Sequence, residues 1–306
     1  MNGVRSPLFY VGDKYKLMSQ LSRLFPRNIN NFYDVFAGGG SVSLNTPANK
    51  YFMNDLDDHV IKLHKYLLNS LKNLPRFLQH EYREINKYHL TRSSANIIPN
   101  NFDNIKSKYH KTYFSKINKR GYLKLRSDFN NDKSRLDLMY LLLVYGFNHM
   151  TRFNSAGQFN LPVGNVDWNN NVENALKVYS LFTKCYNVTT SNLDFYKFIN
   201  SHVYIKNDFV YCDPPYLISS SEYNKMWGES DDRRLFKILD LITDKVHWGL
   251  SDLVHYKGRT NKGLLDWINE NRYLVYNIES NYISRFDDTH KTGTKEIYVT
   301  NYRRSC

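Results

Sequence analysis

Cysteine is scarce. The chain has three in 306 residues, Cys185, Cys212 and Cys306, an odd number with no C-x-x-C pair. That pattern excludes a disulfide framework and offers no zinc-ligand spacing. A chain of this length buries enough core to need neither, so a reducing, cytoplasmic setting is expected. Long apolar runs are also missing. The longest, "LMYLLLVYGF" at 138–147, is too short to span a bilayer. The opening "MNGVRSPLFYVGDKYKL" lacks the apolar core of a signal peptide. A soluble protein with no membrane partner is expected, and neither internal repeats nor low-complexity tracts point elsewhere.

Acidic residues are scarce in one place only. Between residues 60 and 187 there are 20 Lys and Arg against 8 Asp and Glu, while the rest of the chain holds 22 basic and 21 acidic residues. Nearly all of the +13 net charge therefore belongs to the middle segment. A basic lobe inserted into a balanced core suits a polyanionic partner such as nucleic acid. A solvated Lys- and Asn-rich surface would give the same count.

The flanks carry an α/β rhythm. "FYDVF" (32–36) reads as a strand stopping at "AGGGS", with "VSLN" starting a helix; "KYFMNDLD" (50–57) is the next strand, and "HVIKLHKYLLNSLKNL" (59–74) has helical spacing. From about 75 to 187 the pattern turns to mixed helical segments rich in Tyr, Asn and Lys. Strands and helices alternate again from "FVYCD" (209–213) through "VHWGLSD" (246–252) to "YLVYNIES" and "KEIYVTNY", which can pair antiparallel. The expectation is an α/β protein with a doubly wound, mostly parallel sheet. Its core should comprise 1–59 and 188–306, interrupted by a mainly helical insert at 60–187.

In such a sheet ligands bind outside the carboxyl ends of the strands, where strand order reverses. Three signals fall at predicted strand ends. The turn Phe36 to Gly40 lets backbone approach a ligand, Asp55 can accept hydrogen bonds from ribose hydroxyls, and Asp213 opens "DPPY". A dinucleotide G-x-G-x-x-G fingerprint would need glycine where Ser43 stands, which counts against a nicotinamide or flavin enzyme. A plain glycine turn, and helix capping by Asp55, remain open readings.

"DPPY" is more specific. Pro214 and Pro215 supply carbonyls without N–H donors, Asp213 adds carboxylate oxygens, and Tyr216 adds a flat ring. Such a turn suits a planar group with an exocyclic amine, as in adenine or cytosine. Extracting a base from a duplex costs a few kcal/mol. Stacking returns about 1–3 kcal/mol, and a charge-assisted hydrogen bond contributes roughly 1.5–3 kcal/mol. Cys212 lies inside the apolar run and reads as a buried strand residue rather than a nucleophile.

Together these residues resemble the Dam-type DNA adenine-N6 methyltransferases (D12 class, alpha group), a family with bacterial, phage and restriction-modification members. The likeness covers most of the chain in the family's motif order. It rests on "SPLFYVGDKYKL" (6–17), "DVFAGGGSVSLN" (34–45), "NDLD" (54–57), "YGFNHMTRFNSAGQFNLPVG" (145–164), "YCDPPYLISSSEYNKMW" (211–227), "GLSD" (249–252) and "EIYVTNY" (296–302).

The resemblance implies a Rossmann-like methyltransferase sheet, with a helical DNA-recognition domain carrying a β-hairpin. S-adenosylmethionine would be contacted by Tyr10, Lys14, Asp55 and Asp213, with Phe36, Gly38, Gly39 and Gly40 against it. Asp213 and the Pro214 carbonyl would hold the adenine amine, Pro215 completing the turn, and Tyr216 would stack on the flipped base. In the hairpin Arg152 would read guanine and Phe147 would wedge into the stack, beside Asn148, Met150 and Pro162.

The implied partner is double-stranded DNA at GATC or a related GAT-containing site, with no metal. Any link to a restriction endonuclease would be functional, not physical. Residues 217–229 should form a loop that orders on DNA. Two departures stand out: Ala37 in the glycine motif, and a long segment at 91–125 that leaves the recognition sequence open. Rival readings are an amino-methyltransferase acting on RNA adenine or cytosine N4, and a catalytically silent DNA-binding protein on the same fold.

Overall fold

A computed structural model describes residues 3–219, 227–279 and 293–303. The chain divides into two compact units: residues 1–3, 14–56 and 187–306, and residues 4–13 with 57–186. The short segment 4–13, expected with the sheet, belongs to the second unit.

Among the described residues the first unit is built on eight strands: β1 (Ile29–Asp34), β2 (Ala48–Asn54), β3 (Asn187–Ser191), β4 (Phe209–Cys212), β5 (His247–Tyr256), β6 (Arg259–Thr260), β7 (Leu274–Ile278) and β8 (Lys295–Thr300). Their order is β3-β2-β1-β4-β5-β8-β7, with β6 on β5. The first five of that order run parallel, whereas β8 is antiparallel to both β5 and β7. This is the expected doubly wound, mostly parallel sheet. From β1 the chain works outward to β3, then returns to β4 on the other side of β1. The switch point therefore lies between the carboxyl ends of β1 and β4.

Strand β4, "FVYC", is buried throughout, as a parallel strand covered on both faces must be. Side chains alternate across it. Val210 and Cys212 join Tyr33, Val35, Trp248, Leu250, Ile297 and Val299 under helices Phe195–Asn200, Glu229–Ile242 and Lys262–Asn271. Phe209 and Tyr211 face the other way, with ring centroids 5.0 and 5.3 Å from Phe25. Tyr298 of β8 joins them, 5.8 Å from Phe25. Continuing both alternations aims Asp213 and Glu296 toward this second face.

Two elements differ from the sequence expectation, each for a local reason. The helical stretch at 59–74 splits into Asp58–Ser70, a 3-10 turn, and Leu74–Lys87. Asn73 accepts the Arg76 N–H and Pro75 has no N–H to give, which starts a new helix there. Strand β3, "NVTTS", was not read as a strand in the sequence; it is a polar edge strand without apolar alternation.

The second unit is helical. Helix Leu136–Tyr145 is buried on all sides, as its unbroken apolar sequence requires. The segment 145–164 follows it. An antiparallel hairpin course is present, closed by isolated bridges at Gly146↔Val163 and Phe153↔Phe159 instead of two regular strands. Asn148 and His149 have positive φ, and Pro162 cannot donate, so no continuous ladder forms. At its base a Cβ on Gly164 would come within 2.6 Å of the Gly146 carbonyl oxygen, so the two passes meet only because residue 164 is glycine.

Candidate active site

At the end of β1 the backbone changes neighbours. The Val35 N–H donates to Tyr211 O at the end of β4, and two residues later the Ala37 N–H donates to Asn54 O at the end of β2. The crevice opens between these strands. Gly38 (φ 47°) and Gly40 (φ 77°) take left-handed conformations that favour glycine, and Gly39 is buried between them. The Gly38 N–H donates to Asp55 Oδ2 at 2.8 Å, joining the glycine turn to the acid that ends β2. Half-buried Phe36 packs against Phe195 and Trp227, both at 5.6 Å between centroids.

Beneath the turn Asp34 is fully buried and accepts the Ser43 hydroxyl at 2.7 Å. Burial pushes its carboxyl up to about 7; the Ser43 bond opposes this, and the charges of Asp213 and Asp55 add to it.

Asp213 opens the second half of the site. The Lys14 ammonium is 2.9 Å from Asp213 Oδ1 and 3.8 Å from Glu296 Oε1. Its side chain is only 4% exposed, a position a lysine holds only with carboxylate partners. The Tyr216 hydroxyl is 3.0 Å from both Asp213 Oδ1 and Glu296 Oε1, and the Lys14 ammonium lies 4.8 Å from the Tyr216 ring centroid. Burial raises the Asp213 carboxyl above its ordinary value. Lys14 pulls it back, Glu296 raises it again, and the Tyr216 bond lowers it. Pro214 is buried and Pro215 half-buried beside it.

The predicted residues Lys14, Gly38, Asp55, Asp213 and Tyr216 thus form two bonded groups, with Asp34 within electrostatic reach of both acids. Tyr10 lies on the 4–13 segment of the other unit, where its carbonyl accepts the Asp13 N–H. Cys212 is buried and burial drives its thiol well up, the opposite of an activated nucleophile. Residues 220–226 of the expected loop lie outside the described residues. Glu296 went unnoticed in the sequence; a single acid within "KEIYVTNY" was the available signal.

In the second unit the hairpin exposes Phe147 by 50%, which rules out a core role. Asn148, Arg152 and Pro162 are exposed and Met150 is half-buried. The Pro162 carbonyl accepts the Phe147 N–H at 3.0 Å. Arg152 donates from Nε to Asn160 Oδ1 at 2.9 Å and from Nη2 to the Asn160 carbonyl at 3.0 Å. His149 packs 4.9 Å from Phe9, and burial lowers its pKa to about 4, so it is a neutral packing group.

These features define a doubly wound α/β chain with a glycine turn, an acid and an Asp-Pro-Pro-Tyr strand end at its switch point. The family model for the D12 class N6 adenine-specific DNA methyltransferases matches residues 10–280. The chain belongs to that family. It is 30% identical over 308 residues to the modification methylase StsI of Streptococcus sanguinis, covering 98% of this chain and 43% of that protein. It is 31% identical over 314 residues to the type II methyltransferase M.FokI of Planomicrobium okeanokoites, with the same two coverages. Against the DNA adenine methylase of Salmonella typhi identity is 26% over 229 residues, or 72% of this chain and 68% of that protein. The chain thus spans less than half the length of the first two relatives.

Proposed function

We propose that this chain methylates N6 of an adenine turned out of duplex DNA, using S-adenosylmethionine and acting at GATC or a related GAT-containing site. The observation that carries this is Asp213, held by Lys14 and Tyr216 at the switch point, across the crevice from the Gly38–Asp55 pair. Residues 1–59 and 188–306 would form the catalytic domain and 60–187 the DNA-recognition domain.

The donor's chemistry fits the residues present. The left-handed Gly38 and Gly40 put no side chain between the backbone and a nucleoside, Asp55 offers an acceptor for ribose hydroxyls, and Lys14, Asp213 and Glu296 together present two carboxylates against one ammonium. A positively charged sulfonium suits that imbalance. When bound, the cofactor supplies an activated methyl group; the rest falls to the chain. Tyr10, Lys14 and Phe36 complete the cofactor contacts.

Asp213 and the Pro214 carbonyl accept the two N6 hydrogens, which turns the amine's lone pair out of the ring plane and toward the methyl carbon. Tyr216 offers a ring for the base to stack on. A carboxyl held above its ordinary value is also a better acceptor for the proton that N6 sheds as it gains a methyl group. Phe147 fills the gap left by the base, and Arg152 reads guanine, flanked by Asn148, Met150 and Pro162. Some relatives are named modification methylases; a restriction nuclease would be a functional partner of this chain, not a physical one.

The test is transfer of labelled methyl groups from S-adenosylmethionine to duplex DNA, followed by nucleoside analysis. Label should appear in N6-methyladenine, and Asp213→Ala should abolish it while leaving DNA affinity largely intact. Label confined to cytosine or to RNA would sink the reading.

A further inference from the structure

Beyond its charge, Glu296 has no part in holding the amine or the base in the chemistry above. It lies on β8, paired across to Leu253 of β5 and Ile278 of β7, and is 2% exposed. Its backbone is pinned on both sides. A carboxylate taken so far out of water is costly unless its partners compensate. Oε1 has two, the Tyr216 hydroxyl at 3.0 Å and the Lys14 ammonium at 3.8 Å, while Oε2 is buried and makes no hydrogen bond among the described residues.

The Tyr216 hydroxyl has one proton and two carboxylate acceptors at the same 3.0 Å. It satisfies one at a time. The choice matters for Asp213, because Oδ1 already receives the Lys14 ammonium at 2.9 Å. Every bond that Oδ1 accepts from the protein is acceptor capacity withheld from an incoming amine. A second carboxylate on a fixed strand gives the hydroxyl somewhere else to go.

We propose that Glu296 is a positioning residue that draws the Tyr216 hydroxyl away from Asp213, holding the ring in place while leaving Asp213 able to accept the target amine. This rests on the adenine reading above. A bond to a charged acceptor is worth enough that losing Glu296 hands the hydroxyl to Asp213 permanently.

The experiment compares two duplexes, one with adenine and one with purine, which lacks the amine, at the target position. The ratio of their dissociation constants reports the amine's contribution and needs no turnover. The native chain should prefer adenine by about tenfold or more, the usual value of a charge-assisted hydrogen bond. In Glu296→Leu the ratio should collapse toward one because the adenine duplex binds about tenfold more weakly while the purine duplex is unaffected, and kcat should fall roughly ten- to a hundredfold.

Adding Tyr216→Phe to Glu296→Leu should restore the ratio, because the competing hydroxyl is gone. Glu296→Gln keeps the shape but offers only a neutral acceptor against the charged Asp213, so the hydroxyl should pass to Asp213 and the ratio should fall toward one. An unchanged ratio in Glu296→Leu or Glu296→Gln, or a further loss on adding Tyr216→Phe, would each overturn the proposal. Where thermal melting shows that Glu296→Leu does not fold, Glu296→Gln decides alone: a lowered ratio that Tyr216→Phe restores supports the role, and an unchanged ratio, or one that Tyr216→Phe does not restore, ends it. A native chain that neither methylates adenine nor prefers it would refute the adenine reading instead.

Discussion

Asp34 shows how a residue can serve the fold and the site at a cost. It ends β1 fully buried, with Ser43 as its side-chain partner and two site acids nearby, and its carboxyl is pushed up to about 7 from 3.8. A raised acid stabilises the fold below its unfolded value, and that contribution disappears as pH rises through the folded one. Native stability should therefore fall between about pH 4 and pH 7, by an amount that is on the order of 4 kcal/mol at most. Asp34→Asn keeps an acceptor for Ser43 and removes the charge. Urea unfolding across that pH range should show the two chains converging at acid pH, with the variant more stable above neutrality; parallel curves would show that the carboxylate is not strained. Asp55 and Asp213 were legible in the sequence because strand ends announce themselves locally. Glu296 was not, since its meaning depends on a tyrosine 80 residues away and on strand pairing that brings β8 beside β5.

At the scale of elements, the doubly wound order followed from alternating strand and helix patterns, and the antiparallel β7–β8 pair from two late apolar runs. What escaped was set by context: β3 has no apolar alternation, and the hairpin's strands are broken by Pro162 and positive-φ residues. The hairpin is held from within, not by a ladder. Phe153 stacks on His59 at 3.8 Å and packs edge-on to Phe159 at 5.3 Å, while Phe147, Arg152 and Pro162 stay outward. Arg152 is oriented by Asn160 through its Nε and Nη2 atoms. Arg152→Ala should relax discrimination at one G·C pair by about 1–3 kcal/mol. Asn160→Ala should produce a smaller loss at that same base pair, because the guanidinium remains but is no longer aimed. Methylation rates on a set of single-base site variants check both; a uniform loss across all sites would mark Arg152 as a phosphate contact.

At the scale of the whole molecule, the charge asymmetry of the sequence becomes a surface. From Asn104 to Ser127 there are eight Lys and Arg and no acid. Lys106, Lys108, Lys111, Lys116, Lys119, Arg120 and Lys124 are all exposed on or between helices Phe102–Tyr109 and Tyr113–Asn131. Among the described residues none of these seven makes a salt bridge with a carboxylate. Lys108 and Lys116 instead flank the Tyr109 ring, at 5.4 and 5.5 Å from its centroid. Repulsion among so many like charges opposes folding, and a phosphate backbone would offset it. Arg126 of the same helix donates to the Leu161 carbonyl at 3.2 Å, tying this surface to the hairpin within one unit. A chain with Lys108, Lys116 and Lys119 changed to Ala should bind duplex DNA with a log Kd against log salt slope shallower by up to about 0.9 per lost phosphate contact. Preference among site variants should stay unchanged, since phosphate contacts position without reading sequence. If the slope matches that of the native chain, the helix pair faces solvent and the excess charge has no part in DNA binding.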